Sequence, residues 1–428
     1  MRIVQLTPGT GTFHCGSCLR DLTLVRELLA MGHDVTLVPL YLPLVHDQAE
    51  DGIEEDGPLL LGGINLYLEQ KAGVFGWLPK FVRGWLNAPW LLRKAADRMG
   101  MTSAEELGKL TVESFKGVAG KQKGAWRELL DWLKTQPKPD VISLSNGMLG
   151  GVAPALREEL QVPVVTTLQG EDTFLDRLPE PYRTESWKAF SRVVESLNRV
   201  IGVSDYYGGV MQERLGFPDE KLTRVWNGIE VDDFPFRPGK PDKPTIGYLA
   251  RLCEDKGVDA MIDGFIELKK RPGREDVRLR MAGALTPDDE KLVERLKQKL
   301  EKVGVAEAVD WQTNVTFEEK LELLGSLTVF SVPSTYGESF GLYVVEALAC
   351  GVPVVQPRHA GFIEIVEATK GGILFEPKDV SAHADALEAA LDGDLDFDAA
   401  AVRKSVEDNF SSKGMARGFA QALESVAG

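Results

Sequence analysis

Short runs of β-branched and other apolar residues alternate along this chain with longer stretches whose apolar positions recur every three or four residues. Residues 3–6 form the first such run. A helical pattern follows from about 15 to 31, closed by Gly32, and residues 33–38 make the second run. Strand, helix, strand in this order predicts a βαβ unit in a parallel sheet. The runs at 139–145, 162–168 and 200–204 continue the series. A second series opens at 245–249 and continues with 278–282, 309–311, 327–332, 352–356 and 372–375, again alternating with helical patterns. Such continuous apolar runs are typical of strands buried on both faces. The pattern predicts an α/β protein with two Rossmann-like, doubly wound parallel sheets.

Length supports two units, because 428 residues exceed what one compact core usually holds. Apolar content of 43% and charged content of 27% are ordinary for a soluble globular enzyme. The net charge of −16 argues against general nucleic-acid binding, yet leaves room for a local basic pocket. No run of about 18 apolar residues predicts a membrane span, and the chain enters its first strand directly, without a charged-then-apolar leader. The four cysteines, Cys15, Cys18, Cys253 and Cys350, fit a reducing cytoplasm better than a disulfide framework.

Candidate chemistry concentrates in the second half. Glu338 and Glu346 bracket the start of a helix in the stretch 336–347, with Glu338 on the preceding loop and Glu346 about two turns into the helix. Backbone N–H groups around Phe340 and Gly341 lie between them, at a helix N-terminus suited to phosphate. One acid for a sugar, an anion site and a second acid for a ribose is the layout a nucleotide-sugar needs. Arg251 and Lys256 share the loop after the strand 245–249, and a diphosphate leaving group calls for such a pair, one planar fork and one mobile point charge. In the first half, Gly9 and Gly11 open the loop after the first strand. The third glycine of a nicotinamide-type G-x-G-x-x-G falls at His14, and no acid ends the second strand, so that fingerprint is not met.

These motifs, in this order through most of the chain, resemble the retaining glycosyltransferases of family 4 (glycosyl transferases group 1), whose second domain carries a Glu-x7-Glu motif of this form. The resemblance implies a GT-B fold, two Rossmann-like domains facing a cleft. It places an acceptor domain at 1–230, a nucleotide-sugar donor domain at 231–411, and a terminal helix at 412–428 crossing back to the first. Asn227-Gly228 then marks the domain junction and 234–244 the linker. The implied reaction transfers a hexosyl unit from a nucleoside-diphosphate sugar to an acceptor hydroxyl with retention. Arg251 and Lys256 stabilise the leaving diphosphate, and Glu338 contacts the donor hexose. Phe340 and Gly341 hold sugar or phosphate through their backbone, Glu346 binds the ribose, and Gly9 and Gly11 face the donor. No separate cofactor or metal is expected. Gly361 and Glu364 match the family's Gly-x-x-Glu.

Departures from the family leave alternatives open. Many members carry a histidine where this chain has Gln169, so the acid or base at that loop is unassigned. Glu171 and Asp172 either meet the acceptor or cap the next helix. Cys15-Gly16-Ser17-Cys18 reads as small residues packing a helix start rather than as a redox or zinc motif. The segment 71–126 holds ten Lys or Arg against four Asp or Glu and half of the eight tryptophans. Its stripe of Leu78, Phe81, Val82, Trp85 and Leu86 is either an internal lid or acceptor wall, or a transient contact with a membrane bearing a lipid-linked acceptor. A sugar-nucleotide epimerase or a phosphorylase on the same fold, or a non-catalytic sugar-nucleotide-binding protein, are the competing readings.

Overall fold

The computed structural model describes residues 1–8, 16–40, 103–237 and 241–427. It divides into two compact units, residues 1–225 with 415–428, and residues 226–414.

The first unit is built on a six-stranded sheet in the order β2-β1-β3-β4-β5-β6, every pairing parallel. Its strands are β1 (Arg2–Thr7), β2 (Asp34–Pro39), β3 (Val141–Leu144), β4 (Val164–Leu168), β5 (Arg199–Gly202) and β6 (Leu222–Arg224). All residues of β3 and β4 are buried, in keeping with sequences that are apolar or β-branched apart from Ser143. Ile3, Val141, Val165 and Ile201 share one face of the pleat and pack with Leu24 and Leu28. The helix Ser412–Ala427 closes the same core with Ala416, Phe419, Ala420 and Leu423, spaced to form one helical stripe.

Part of the segment that the sequence suggests as a lid or membrane element is core instead. The helix Ala104–Phe115 is N-capped by Ser103, whose hydroxyl oxygen accepts from the Glu106 N–H at 3.2 Å. Its Phe115 stacks on Phe190 with ring centroids 5.1 Å apart. The helix Lys123–Thr135 buries Trp126, Leu129, Leu130 and Leu133 at i, i+3, i+4, i+7 spacing. Trp126 therefore belongs to the packed interior. The stripe from Leu78 to Leu86 lies outside the described residues. Among those, no helix is long and apolar enough to cross a membrane.

The second unit carries a parallel sheet ordered β12-β11-β10-β7-β8-β9. The strands are β7 (Thr245–Leu249), β8 (Arg278–Gly283), β9 (Val309–Thr313), β10 (Val329–Phe330), β11 (Val354–Pro357) and β12 (Gly372–Phe375). Only two residues of the run 327–332 join the ladder as β10. Ile229 bridges Ser411 in parallel, and a Cβ on Gly228 would lie 2.2 Å from the Ser411 carbonyl oxygen. Gly228 is thus a point of close backbone approach rather than part of a turn. His383 is a core residue: its ring stacks on Phe375 at 4.6 Å, and its Nε2 lies 3.0 Å from the Ser331 hydroxyl.

Candidate active site

In the second sheet the chain leaves β7 toward β8 on one side and later returns to β10 on the other. The loops after β7 and β10 therefore flank the topological switch point at the carboxyl edge, where open α/β sheets bind ligands. Arg251 and Lys256 stand on the first loop and Glu338 on the second.

The first loop is held from beneath by buried Tyr248, whose hydroxyl is within reach of the carbonyls of Arg251 (3.1 Å) and Lys256 (3.2 Å). Burial raises this phenol well above its ordinary pKa, so it keeps the proton it donates. Gly257 ends the loop at φ +68°, and a Cβ there would lie 1.9 Å from the Pro333 carbonyl oxygen. Only glycine lets the two loops approach so closely. The Asp255 carbonyl accepts from the Thr335 N–H at 3.0 Å, joining them again.

The joined loops bring Lys256 onto Glu338. The ammonium is ion-paired with Glu338 Oε2 and donates to the Tyr336 hydroxyl at 2.7 Å. It also sits over the Tyr336 ring (5.0 Å) and the Tyr343 ring (5.4 Å). Tyr343 donates its own hydroxyl to Glu338 Oε2 at 2.7 Å. Burial first, then the neighbouring carboxylate, push this phenol well above its ordinary range. Glu338 is only 7% exposed. Arg251 stands apart from this cluster: it is half-exposed, with Nε 3.7 Å from Asp289.

The helix begins later than its apolar pattern predicts, at Leu342. Gly341 adopts φ +106° and interrupts the helical geometry, and Phe340 is buried edge-on to Phe410 at 5.8 Å. Glu346 is consequently about one turn into the helix rather than two. Its Oε1 accepts from Lys320 Nζ at 2.6 Å. A Cβ on Gly361 would be 2.8 Å from Phe340 Cα, so this glycine serves close packing. Glu364 accepts from the Trp226 indole N–H at 2.8 Å. His359 Nε2 lies 3.0 Å from the Ser334 carbonyl, and burial lowers the imidazole pKa.

In the first unit, Gly9, Gly11 and Cys15 lie outside the described residues. Gln169 donates its amide to the Ser145 carbonyl at 2.7 Å. Glu171 is buried, and its carboxylate accepts the N–H groups of Gly147 (2.9 Å), Gln169 (2.9 Å) and Gly170 (3.1 Å). These donors all precede the helix Glu171–Leu175, so the carboxylate ties the loop after β4 to the segment that starts at Gly147. Desolvation pushes the Glu171 carboxyl up, against these hydrogen bonds. Asp172 is partly exposed, with Oδ1 2.9 Å from the Tyr207 hydroxyl. One feature here escapes sequence reasoning. Arg20 and Asp21 form a fully buried ion pair at 3.0 Å, and Asp21 also accepts from the hydroxyls of Thr7 (3.1 Å) and Ser145. Thr7 ends β1 and Ser145 follows β3, so the pair underlies this sheet's own switch point. An Arg-Asp dipeptide on a helix reads as solvated charge, and only packing reveals otherwise. Among the described residues, no three His, Cys, Asp or Glu side chains gather in metal-binding geometry.

Comparison with known proteins matches both halves of the chain. Residues 111–233 fit the family described as Glycosyltransferase Family 4, and residues 230–407 fit Glycosyl transferases group 1. WcaL of Escherichia coli (strain K12), a glycosyltransferase assigned to colanic acid biosynthesis, is 29% identical over 68% of this chain and 71% of its own length. The D-inositol 3-phosphate glycosyltransferase of Corynebacterium jeikeium is 34% identical over 35% of this chain and 36% of its own. Among solved structures, HepE of Anabaena in complex with UDP superposes with a TM-score of 0.68 at 16% identity, covering 99% of this chain and 100% of HepE. The two consecutive family matches and two six-stranded parallel sheets lead to one conclusion: this chain belongs to the family 4 glycosyltransferases of GT-B type.

Proposed function

We propose that this glycosyltransferase moves a hexosyl unit from a nucleoside-diphosphate sugar to an acceptor hydroxyl with retention of anomeric configuration. The observation that carries the reading is the joining of Lys256 and Glu338 at the switch point of the second sheet. A cation for the leaving diphosphate and a carboxylate for the hexose stand side by side, as the donor's own two parts do.

In this reading Arg251 and Lys256 neutralise charge developing on the diphosphate, each worth roughly 3–4 kcal/mol of barrier in a dry site. Glu338 orients the hexose, and Glu346, steadied by Lys320, takes the ribose hydroxyls. The backbone at Phe340 and Gly341 lies between the two acids. The leaving phosphate accepts the acceptor proton, and no metal takes part. The UDP bound by HepE supports a nucleoside-diphosphate donor, and the inositol phosphate in the name of the Corynebacterium relative supports a hydroxyl acceptor. Asp172, partly exposed after β4, is the acceptor-side acid, with Gln169 and Glu171 beside it, and the glycine loop at Gly9 and Gly11 faces the donor. The work is cytoplasmic, with the stripe from Leu78 to Leu86 within the segment 71–126 offering the contact to any lipid-linked acceptor.

Thermal stability measured with UDP-glucose, UDP-galactose, ADP-glucose and GDP-mannose tests the donor class. One of them should raise Tm in proportion to the logarithm of its concentration. No shift with any of the four would remove the donor assignment.

A further inference from the structure

Both protein donors to the Glu338 carboxylate land on the same oxygen. Lys256 and Tyr343 share Oε2, and Oε1 takes no donor among the described residues. The carboxylate is thus gripped on one side and open on the other. The two grips differ in what else they can do. Lys256 is a mobile cation that a diphosphate attracts more strongly than a single carboxylate does. Tyr343 is fixed: its ring packs against Phe330 and Phe362, each with centroids 6.2 Å away, and it carries no charge to attract a phosphate.

We propose that Tyr343 is the positioning residue that keeps Glu338 aimed at the donor hexose once Lys256 has turned to the diphosphate. This rests on the assignment of Glu338 to the hexose and Lys256 to the leaving group. Without donor, Lys256 neutralises Glu338, and the buried pair costs little. As the diphosphate draws the ammonium away, a carboxylate at 7% exposure would be left without a partner, which is strongly unfavourable. The Tyr343 hydroxyl stays on Oε2 and holds the side chain, and Oε1 is turned to a hexose hydroxyl. The Lys256–Glu338 pair is then a resting contact that substrate exchanges for two new ones, and Tyr343 is the hinge of that exchange.

The test uses Tyr343→Phe, which removes one hydroxyl and retains the ring, with whichever of UDP-glucose, UDP-galactose, ADP-glucose and GDP-mannose binds best. Donor turnover, read as release of the nucleoside diphosphate, should fall about 10- to 100-fold in kcat, the worth of one hydrogen bond to a charged group. Affinity for that nucleoside diphosphate alone should stay at the wild-type value, because it has no hexose. Tyr343→4-aminophenylalanine, which keeps a donor on the same ring, should restore most of kcat. A Tyr343→Phe enzyme with wild-type kcat would overturn the inference, as would a loss matched by equally weakened nucleoside-diphosphate binding. If Tyr343→Phe does not fold, an inactive but folded 4-aminophenylalanine variant overturns it as well. Glu338→Gln is run beside them. If it turns over donor normally, or if none of the four sugars binds, the underlying reading fails. If Glu338→Gln is slow and Tyr343→Phe is not, only the role of Tyr343 falls.

Discussion

Lys320 reaches from the helix Phe317–Leu324 to Glu346 on the helix Leu342–Ala349, placing Nζ 2.6 Å from Oε1. Both side chains are largely buried, at 22% and 13% exposure. The ammonium also lies over the rings of Phe234 (5.4 Å) and Phe317 (5.5 Å). The second acid of the Glu-x7-Glu motif is therefore held by a partner outside the motif. Its neighbour Cys350 feels the same surroundings, its thiol pushed up to about 12 by burial and then by Glu346.

Lys320→Met should raise the donor KM about tenfold and leave kcat close to wild type. The change leaves Glu346 without its cation and free to rotate, and a ribose contact acts equally in ground and transition states. Steady-state kinetics with saturating acceptor check this. An unchanged KM would mean that Glu346 does not touch the donor.

Arg251→Ala and Lys256→Ala should each lower turnover by about 10²-fold or more. Their stability signatures should differ. Arg251 is half-exposed and its loss should leave Tm almost unmoved, whereas Lys256→Ala strips the buried Glu338 of its counter-ion and should lower Tm. Near wild-type transfer by both variants would end the diphosphate assignment.

Glu171 offers a test of loop anchoring against acceptor binding. Glu171→Gln puts an amide group among backbone donors at Gly147, Gln169 and Gly170, leaving at least one of them without an acceptor. A loss of about 2 kcal/mol is expected. For a unit of this size that is a drop in Tm of about 4–8 °C. Should Tm hold while the acceptor KM rises, the residue belongs to substrate.

His383 makes stability depend on pH. Burial lowers its pKa to about 3, from an ordinary 6.5. Between those values the unfolded chain binds a proton that the folded chain refuses, so stability is full above about pH 6.5 and declines as pH falls toward 3. From pH 7 to 5.5 this one group should cost about 1 kcal/mol. Urea titrations of the wild type and His383→Gln at both pH values should show that the variant, whatever its starting stability, loses about that much less. Equal losses would mean the ring is protonated in the folded state.

Much of the candidate site is legible in the amino-acid order. The short apolar runs locate both sheets, and loop positions for Arg251, Lys256 and Glu338 follow from where those runs end. The apolar pattern misplaces the first turn of the Glu346 helix because it continues through Phe340 and Gly341, and periodicity does not register a glycine at φ +106°. Nor does the pattern separate Trp126, which is core, from the aromatic stripe upstream of it in the sequence.

Periodicity reports which side of its own element a residue occupies, because that depends only on 3.6 or two residues per repeat. It therefore determined the class of fold, the strand-to-helix setting of the two glutamates and the basic loop after β7. It carries no information on which charges meet across elements. The partnerships of Lys256 with Glu338, Lys320 with Glu346, and Asp21 with Thr7 and Ser145 exist because sheet order and packing exclude water from those places. A charge removed from water must find an opposite charge or a set of donors nearby, and only the tertiary structure decides which ones are within reach.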